Sequence, residues 1–328
     1  MPSRGSRLDV APLVSVVVPA YNSGAFIRET IRSVLTQTLA DLEMIVVDDG
    51  STDETPSLVA QARDPRVRLI QVPHSGLPPA TRNRGLREAR GRFVAFLDAD
   101  DLWLPGKLEA QVRYLETWST AGCVHTAARH LVDGRVEEVP PLRGDTRVLD
   151  GSEAIPRLLT RTFIYNSSSM VRREVLDQVG WLLEEPGFLM ADDLDLWLRM
   201  AEGGLGFGYV AEPLILYRVR PDSVSRDTLL DLTCTLRVLD RAKARAPRLY
   251  RRFRGPFRRR MRYVQQNLGE IRIRQGLQGG LRSVLNSLRL EPLSARAWAW
   301  LMLALLGPRP RAKLLKWHQS RRHGLAPS

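Results

Sequence analysis

The chain has 328 residues, 44% of them hydrophobic, which is enough to bury the core of one large domain with an appendage or of two modest domains; a disordered or fibrous protein is excluded. The net charge of +13 is unevenly distributed, because residues 226–328 hold 24 Lys and Arg against 5 Asp and Glu, while residues 1–225 are net acidic. Its two cysteines, Cys123 and Cys234, are far apart and lack His partners at metal spacing, which excludes a zinc motif and a disulfide framework and predicts a reducing compartment, the cytoplasm.

Strands and helices alternate through the first hundred residues. Four apolar or β-branched runs predict strands at 13–22, 42–50, 67–72 and 92–100. Helical spacing of apolar residues follows the first strand, and Ser51 with Glu54 has the form of a capping box that begins the next helix. Strands that are continuously apolar and joined by helices indicate a Rossmann-like, mostly parallel sheet with helices on both faces.

The alternation loosens after about residue 105. Residues 123–139 predict a hairpin that turns at Asp133-Gly134, residues 191–204 predict a helix, and residues 208–219 predict a strand. Beyond residue 226 the chain reads as arginine-rich helices. The longest apolar run there, residues 297–307, is shorter than the roughly 20 residues that span a bilayer, so no transmembrane helix is predicted.

Acidic residues follow the second and fourth predicted strands. Because the carboxyl ends of parallel strands share one edge of a sheet, these acids are expected to converge there. Carboxylates that lie so close favour a cation between them, and hard oxygen ligands suit Mg²⁺ or Mn²⁺. A single acid at a strand end can instead cap a helix, an alternative that applies above all to Asp101. The residues concerned are Asp48, Asp49, Asp98, Asp100 and Asp101.

Two further clusters of charged residues are candidates for a functional role. Arg82 and Arg84 begin the helix before the fourth strand, where a diphosphate would meet both guanidinium groups and the helix dipole; the alternative is a solvated helix face. Asp192, Asp193 and Asp195 begin a later helix, where acids are also favoured by the dipole alone. One carboxylate in that first turn is a candidate general base for an acceptor hydroxyl.

Four motifs occur in order along the chain: VSVVVPAYN at 14–22, IVVDDGSTD at 45–53, ATRNRGL at 80–86 with FVAFLDADDLW at 93–103, and DDLDLWLRM at 192–200. In this order and at approximately this spacing they resemble family 2 glycosyltransferases of the GT-A fold. The resemblance covers residues 13 to about 225, and any one motif alone would be weak.

The resemblance implies a role for each matching residue. Asp98 and Asp100 would form a DxD motif, with Asp98 near the ribose and Asp100 holding Mn²⁺ or Mg²⁺ on the diphosphate of a nucleoside-diphosphate sugar. Asp193 would be the catalytic base of a single inverting displacement. The implied nucleotide-sugar contacts are Pro19, Tyr21, Asn22, Asp49, Arg82 and Asp98.

Two positions depart from the family pattern. Asp192 stands where relatives usually have Glu before the catalytic Asp, and it preserves the charge. Arg220 stands near where many relatives have a His able to approach the metal. Because a guanidinium cannot ligate a metal but binds phosphate, Arg220 is expected to help neutralise the leaving diphosphate.

The basic tail has three interpretations. Residues 245–264 alternate arginines with apolar side chains, a composition that suits an amphipathic segment on an anionic membrane, with the aromatic residues at the interface. A helix that packs on the catalytic domain and keeps its arginines in water is the structural alternative. Nucleic acid is not expected as a partner, because no recognised nucleic-acid-binding module accompanies the arginines. The interleaved residues are Leu249, Tyr250, Phe253, Phe257, Met261 and Tyr263.

The resulting hypothesis is a metal-dependent, inverting glycosyltransferase domain over residues 1–225, followed by a basic helical region over residues 226–328. Its expected partners are a nucleoside-diphosphate sugar and a carbohydrate or lipid-linked acceptor, in cell-surface polysaccharide or glycolipid synthesis. A cytoplasmic protein that is peripheral on the inner face of the cell membrane is expected. The alternative is a non-catalytic protein that binds a nucleotide sugar or a membrane surface.

Overall fold

In the computed structural model, four apolar segments from the first hundred residues form the parallel side of a nine-stranded sheet. The structure describes residues 11–140, 147–160, 164–220 and 227–306. The four strands are β1 (Val14–Ala20), β2 (Leu42–Asp48), β3 (Val67–Gln71) and β4 (Phe93–Phe96). Their spatial order is β3-β2-β1-β4, and the helices between them are α1 (Ile27–Leu35), α2 (Thr55–Ala60) and α3 (Pro78–Glu88). The predicted α/β class and parallel pairing are confirmed here.

The other side of the sheet is mixed. The further strands are β5 (Leu102–Trp103), β6 (Ala121–Val132), β7 (Arg135–Glu138), β8 (Ser169–Arg172) and β9 (Gly206–Val219). The helices are α4 (Lys107–Thr117), α5 (Gly151–Thr160), α6 (Arg173–Val179) and α7 (Asp192–Glu202). The sheet continues from β4 as β8-β6-β9-β5, with β8 antiparallel to both neighbours and β7 on β6. The short strand β5, which the sequence pattern does not predict, pairs antiparallel with β9.

Two local predictions have opposite outcomes. The hairpin of β6 and β7 turns where expected, with positive φ at Asp133 (47°) and Gly134 (77°), the conformation that a tight two-residue turn needs. The capping box before α2 is wrong. Ser51 Oγ instead accepts from the Asn22 amide at 2.8 Å, and Asp53 Oδ1 accepts from the Thr55 amide at 2.9 Å. The loop after β2 is therefore tied to β1 and not used as a helix cap.

The core positions α7 against the end of β4. Trp197 of α7 is fully buried and meets Phe96 edge to face, with the ring centroids 6.3 Å apart. Asp195 is also buried and pairs with Arg199 at 2.7 Å, and that guanidinium donates to the carbonyl of Gly180 at 2.7 Å. These contacts fix the first turn of α7 relative to the sheet.

The described residues divide into two compact units at the junction of residues 226 and 227, here called the N-terminal unit and the C-terminal unit. The C-terminal unit is helical. Its helices are α8 (Thr228–Arg245), α9 (Pro247–Arg252), α10 (Arg254–Arg274), α11 (Gly280–Leu290) and α12 (Ala295–Leu305). None of the helices in the described ranges is both long and apolar enough to cross a membrane. Residues 307–328, the end of the predicted basic region, lie outside the description.

The tail sequence that suggested a membrane-facing aromatic stripe is mostly turned inward. Tyr250, Phe257 and Met261 are buried, and Tyr250 meets Phe257 edge to face at 5.2 Å between centroids. Tyr263 is exposed. Because an amphipathic helix buries its apolar stripe wherever it can, these side chains lie in the core of the C-terminal unit, while most of the arginines between them are exposed and Arg260 is partly buried. Tyr250, Phe257 and Met261 are therefore not part of an exposed aromatic stripe.

Candidate active site

The carboxyl ends of the parallel strands meet at one edge, as expected. In register, Ala20 of β1 lies opposite Asp48 of β2, and Val17 of β1 lies opposite Phe96 of β4. Residues just past these positions therefore share a rim, which carries the predicted site residues of all three strands.

Arg82 joins two parts of this rim. Its Nη2 donates to Asp98 Oδ1 at 2.6 Å and its Nη1 donates to Asp192 Oδ2 at 3.3 Å. With the Asn166 amide oriented so that its oxygen faces the guanidinium, Arg82 Nε also donates to Asn166 at 3.1 Å. Burial by itself lowers the pKa of Arg82, but Asp98 and Asp192 raise it above its usual value. The cation is thus permanently charged between two acids that come from distant parts of the chain.

Asp193 lies next to this cluster in the first turn of α7. Burial raises the pKa of Asp193 to about 7, and the charge of Asp192 acts in the same direction. Burial also raises the pKa of Asp192 to about 6, although Arg82 opposes that shift. A carboxylate whose pKa lies near neutral pH can both hold and release a proton under working conditions, which is what a general base requires.

Asp100 is flanked by two arginines of β9 and its end. Arg220 Nε lies 3.2 Å from Asp100 Oδ2, and Arg218 Nε donates to the Asp100 carbonyl at 2.7 Å. Both guanidinium groups lie 4.9 Å from the Phe26 ring centroid. Burial and the charge of Asp98 raise the pKa of Asp100, against the opposing effect of Arg220. Arg220 therefore lies beside Asp100, the second acid of the DxD motif.

Asp101 turns away from the rim and holds it in place. Its Oδ2 accepts from the Ser167 hydroxyl at 2.5 Å and its Oδ1 accepts from the Arg218 amide at 2.8 Å. Ser167 Oγ in turn accepts from the Asp98 amide at 3.0 Å. Trp103 Nε1 donates to the Ser167 carbonyl at 2.8 Å. The helix-cap alternative for Asp101 is wrong, because its side chain links β4, β9 and the segment before β8.

The five acids expected to converge are separated. Asp48 is buried, Asp49 binds a neighbouring loop and Asp101 points inward, so only Asp98 and Asp100 remain together with Arg82 and Arg220. Asp98, Asp100 and Asp101 follow the end of β4 in a turn, and their side chains take different partners, although Asp101 stays close enough for the charges of Asp98 and Asp100 to raise its pKa. Within the described ranges, no three His, Cys, Asp or Glu residues are placed to hold a metal.

Two carboxylates nevertheless fit a divalent cation of one particular kind. Mg²⁺ usually takes one or two protein carboxylates and completes its shell with water and substrate phosphates, and Mn²⁺ also suits carboxylate and water ligands. Asp98 and Asp100 supply that donor set, and burial followed by the charge of Asp98 raises the pKa of Asp100, which a cation between the two carboxylates would oppose. The residues therefore fit a cation that arrives with its substrate.

Two stacked aromatic rings form a wall at the rim, beside the ends of β1 and β2. The Tyr21 ring, half exposed, stacks on His74 with centroids 4.2 Å apart and planes 22° from parallel. Asp49 holds the loop that carries His74: its Oδ1 accepts from the Ser75 amide at 2.9 Å and its Oδ2 accepts from the Gly76 amide at 3.0 Å. His74 Nδ1 faces two oxygens of Asp49, at 2.8 and 3.1 Å, so Nδ1 carries the proton. The wall is an aromatic platform for a planar ligand.

The remaining predicted residues have structural partners. Asn22 has a positive φ of 46°, and its Oδ1 accepts from the Thr52 amide at 2.8 Å, so its side chain fastens the loop after β2. Pro19 is a partly buried residue of β1 opposite Val47. Arg84 is half exposed and pairs with Glu88 at 3.1 Å, so it follows the solvated-face alternative.

Sequence reasoning missed three groups of residues here. His74 follows β3 at the same rim, so the strand-end rule could have found it. Asn166 and Ser167 lie in a polar run, YNSSS, whose only signal is its position before an apolar strand. Arg218 was read as part of β9, and no local pattern shows that its amide would reach Asp101.

Comparisons of the sequence with known proteins identify its family. The family model described as glycosyl transferase family 2 matches residues 15–180. The succinoglycan biosynthesis protein ExoO of Rhizobium meliloti (strain 1021) is 32% identical over 302 residues, covering 85% of this chain and 82% of that protein. The Escherichia coli UDP-Glc:alpha-D-GlcNAc-diphosphoundecaprenol beta-1,3-glucosyltransferase WfgD is 43% identical over 100 residues, 30% of this chain and 40% of that one.

A solved structure shares the fold. The mannosyltransferase PcManGT from Pyrobaculum calidifontis, in complex with GDP-Man and Mn²⁺, has a TM-score of 0.60, covers 95% of this chain and 81% of its own, and is 21% identical. The sheet and this likeness show the GT-A fold. The chain belongs to glycosyl transferase family 2. The chain is therefore an enzyme, and the alternative of a non-catalytic binding protein is wrong.

Asp101 should tolerate Asn but not Ala. Burial, followed by the charges of Asp98 and Asp100, raises the pKa of Asp101 well above its usual value, so an amide mimics the protonated acid. The amide oxygen can still accept from the Arg218 amide, and the amide NH2 can donate to Ser167 Oγ, which reverses the direction of that hydrogen bond. Asp101→Ala should lower the free energy of unfolding by about 1–3 kcal/mol, because it leaves the Ser167 hydroxyl and the Arg218 amide unpaired. Urea unfolding in EDTA measures both variants.

The pH dependence follows from the same shift. The folded protein keeps a proton on Asp101 that the unfolded chain releases near pH 4, so wild-type stability falls as pH rises from there towards the raised pKa. Asp101→Asn should lack this decline and be at least as stable as wild type at neutral pH. Equal losses in the Asn and Ala variants would contradict the assignment.

Proposed function

We propose that the enzyme transfers a sugar from a nucleoside-diphosphate sugar to an acceptor hydroxyl by a single inverting displacement, with Asp193 as the base. The observation that carries the proposal is the position of Asp193 on the Arg82-linked cluster, beside the DxD residue Asp98. A base with a raised pKa thus stands in the same site as the residues suited to a diphosphate.

The chemical step uses the acids in different ways. Asp193 takes the proton of the acceptor hydroxyl as that oxygen forms a bond to the anomeric carbon, and the bond from that carbon to the diphosphate oxygen breaks with inversion. Asp192, held by Arg82 at 3.3 Å, fixes the first turn of α7 and keeps negative charge beside Asp193, which raises the pKa of the base. Asp193→Ala should therefore abolish transfer without abolishing donor binding.

The leaving diphosphate needs positive charge. A Mn²⁺ or Mg²⁺ ion held by Asp100 and Asp98 would supply Lewis-acid stabilisation of that group. Arg220, now against Asp100, carries a guanidinium that can bind phosphate oxygens in a bidentate manner. Arg220 stands near the position where many relatives have a His that can approach the metal. Its proposed role is to help neutralise the negative charge of the leaving diphosphate.

The nucleotide would occupy the wall formed at β1 and β2. Its base can stack on the half-exposed Tyr21 ring, which His74 supports from the other side. Pro19 and Asp49 lie at the same strand ends, and Asn22 shapes the loop between them. We assign the ribose to Asp98, with Arg82 orienting its carboxylate.

The acceptor is proposed to be a lipid-linked or polymeric carbohydrate of the cell surface. ExoO is named for succinoglycan biosynthesis, and the name of WfgD specifies a sugar on diphosphoundecaprenol as its acceptor. A lipid-linked acceptor would bring the enzyme to the inner face of the cell membrane as a peripheral, cytoplasmic protein.

The C-terminal unit offers an apolar face for such a membrane. Trp298, Met302 and Leu305 are exposed at helical spacing on α12, and arginines surround them in sequence. Basic residues next to exposed aromatic and aliphatic side chains suit the interface of an anionic membrane. This face, and not the buried Tyr250 and Phe257, is the proposed contact.

A donor and metal panel tests the transfer. UDP-, GDP- and dTDP-sugars are incubated with lipid-linked and sugar acceptors in Mn²⁺, Mg²⁺ or EDTA, and sugar transfer is measured. We expect metal-dependent transfer from one donor, lost in Asp100→Ala and Asp193→Ala, and lowered in Arg220→Ala more than nucleotide binding is. Arg84→Ala, which removes an exposed arginine, is the matched control and should keep wild-type turnover. Transfer that is unaffected by EDTA and by Asp100→Ala would remove the metal from the proposal.

The pH profile tests the base. Because Asp193 must be unprotonated to accept a proton, kcat/KM should fall as pH falls through about 7, by about tenfold per pH unit well below that value. Asp193→Asn should lower turnover at every pH, by a factor on the order of 10²–10⁴. A wild-type profile that stays flat across this range would show that another group is the base.

Co-sedimentation with vesicles tests the membrane face. Met302→Glu with Leu305→Glu should weaken binding to anionic vesicles, because two charges would enter the apolar contact. Leu277→Glu with Leu281→Glu places the same charges at two other exposed leucines of the C-terminal unit and should weaken binding less. Equal losses in the two pairs would indicate charge attraction alone, and no binding at low salt would remove the membrane proposal.

A further inference from the structure

An open cavity of about 730 Å³ lies among helices of the C-terminal unit, far in sequence from every residue of the candidate active site. Basic side chains from α8, α9, α10 and α11 line it, and Asp240 is the only acid among its lining residues. Cations that face one space repel one another unless an anion lies between them. The basic residues are Lys243, Arg251, Arg254, Arg258 and Arg289.

The arginines of this cavity are not committed to carboxylates. Within the described ranges, Arg258 Nε donates to the Leu290 carbonyl at 2.7 Å and Arg289 Nη1 donates to Asn286 Oδ1 at 3.1 Å, both neutral groups. Elsewhere in the same unit, Arg274 and Arg296 share Glu270 at 2.6 and 2.5 Å. The cavity therefore keeps its positive charge, whereas Arg274 and Arg296 are paired with an acid.

Gln265 adds a polar group to the cavity wall. Its side chain is more than nine-tenths buried, and its Oε1 has no hydrogen-bond partner in the described part of the chain. A buried amide oxygen without a hydrogen-bond partner costs free energy, and rotation about the last torsion angle of the side chain exchanges the positions of its acceptor and its donor. A ligand hydroxyl can donate or accept, so it satisfies Gln265 in either orientation.

Apolar side chains also line the cavity. Tyr250, Phe257, Met261 and Leu290 line the cavity, and three of these belong to the buried core of the unit. Inorganic phosphate alone would leave this surface unused, whereas an organic group attached to the phosphate would cover it. The lining thus combines guanidinium groups, one amide and carbon surface.

We propose that this cavity binds a phosphate ester whose organic part carries hydroxyl groups. Guanidinium groups are the side chains best matched to phosphate, since they bind two of its oxygens at once. The ester can reach the cavity as a soluble molecule or as the headgroup of a phospholipid. The proposal concerns the C-terminal unit by itself and does not depend on the proposed transfer reaction.

Binding of two probes to the full chain tests the cavity. Glycerol 3-phosphate is titrated calorimetrically, and phosphatidylglycerol vesicles, which present the same glycerol phosphate, are compared with phosphatidylcholine vesicles by co-sedimentation. Salt is kept at about 0.15 M to screen attraction between distant charges. Arg251→Gln with Arg254→Gln should weaken binding about tenfold or more, the effect of losing one charge-assisted hydrogen bond.

Two further variants make the result specific. Gln265→Leu should weaken binding without lowering the free energy of unfolding, because it removes a buried amide that lacks a partner. Arg252→Gln with Arg259→Gln removes the same charge from exposed arginines that do not line the cavity, and it should keep wild-type binding. This pattern with glycerol 3-phosphate identifies a soluble ester, and with vesicles only it identifies a lipid headgroup. Absence of binding to both probes, or equal losses in the two arginine pairs, would overturn the proposal.

Discussion

The buried ion pairs of Arg82 organise the N-terminal unit's functional edge. One guanidinium bridges Asp98, which follows β4, and Asp192, which begins α7 more than ninety residues later. Two acids brought this close would repel each other, and the cost rises because both lie in a region of reduced solvent. Arg82 offsets that cost and fixes the distance between the strand end and the helix start. The DxD residues and the proposed base thereby belong to one site.

Environment, more than residue type, divides the aspartates into roles. Asp49 accepts from loop amides and fixes the position of His74; Asp101 accepts from Ser167 and Arg218 behind the rim; Asp193 lies close to its neighbour Asp192 and has a raised pKa. Asp101 also has a raised pKa, but both of its carboxyl oxygens are hydrogen-bonded behind the rim, so it supports its neighbours, while Asp193 has few partners and can exchange a proton with a substrate. The same side chain therefore serves as support or as reagent.

The C-terminal unit shows how burial sorts an amphipathic sequence. Its tail sequence interleaves arginines with apolar residues, and the helices bury Tyr250, Phe257 and Met261 together while the charges stay outside or line a cavity. Exposed apolar side chains remain on α12, at Trp298, Met302 and Leu305. Because packing decides which apolar residues stay in water, the proposed membrane face uses different residues from those that the sequence pattern emphasised, while several of the emphasised residues line the cavity.

The sequence by itself determined the parallel strands, the hairpin at Asp133-Gly134 and the elements that carry Asp98, Asp100 and Asp193, because apolar periodicity and turn residues are local signals. Motif order then indicated the family. Only the tertiary structure decided that Arg82 pairs with Asp192, that Asp101 bonds to Ser167 and Arg218, and that the five acids separate. Those contacts join residues far apart in the chain, so they depend on strand order and on which side of a strand each side chain faces, and no local pattern encodes either one.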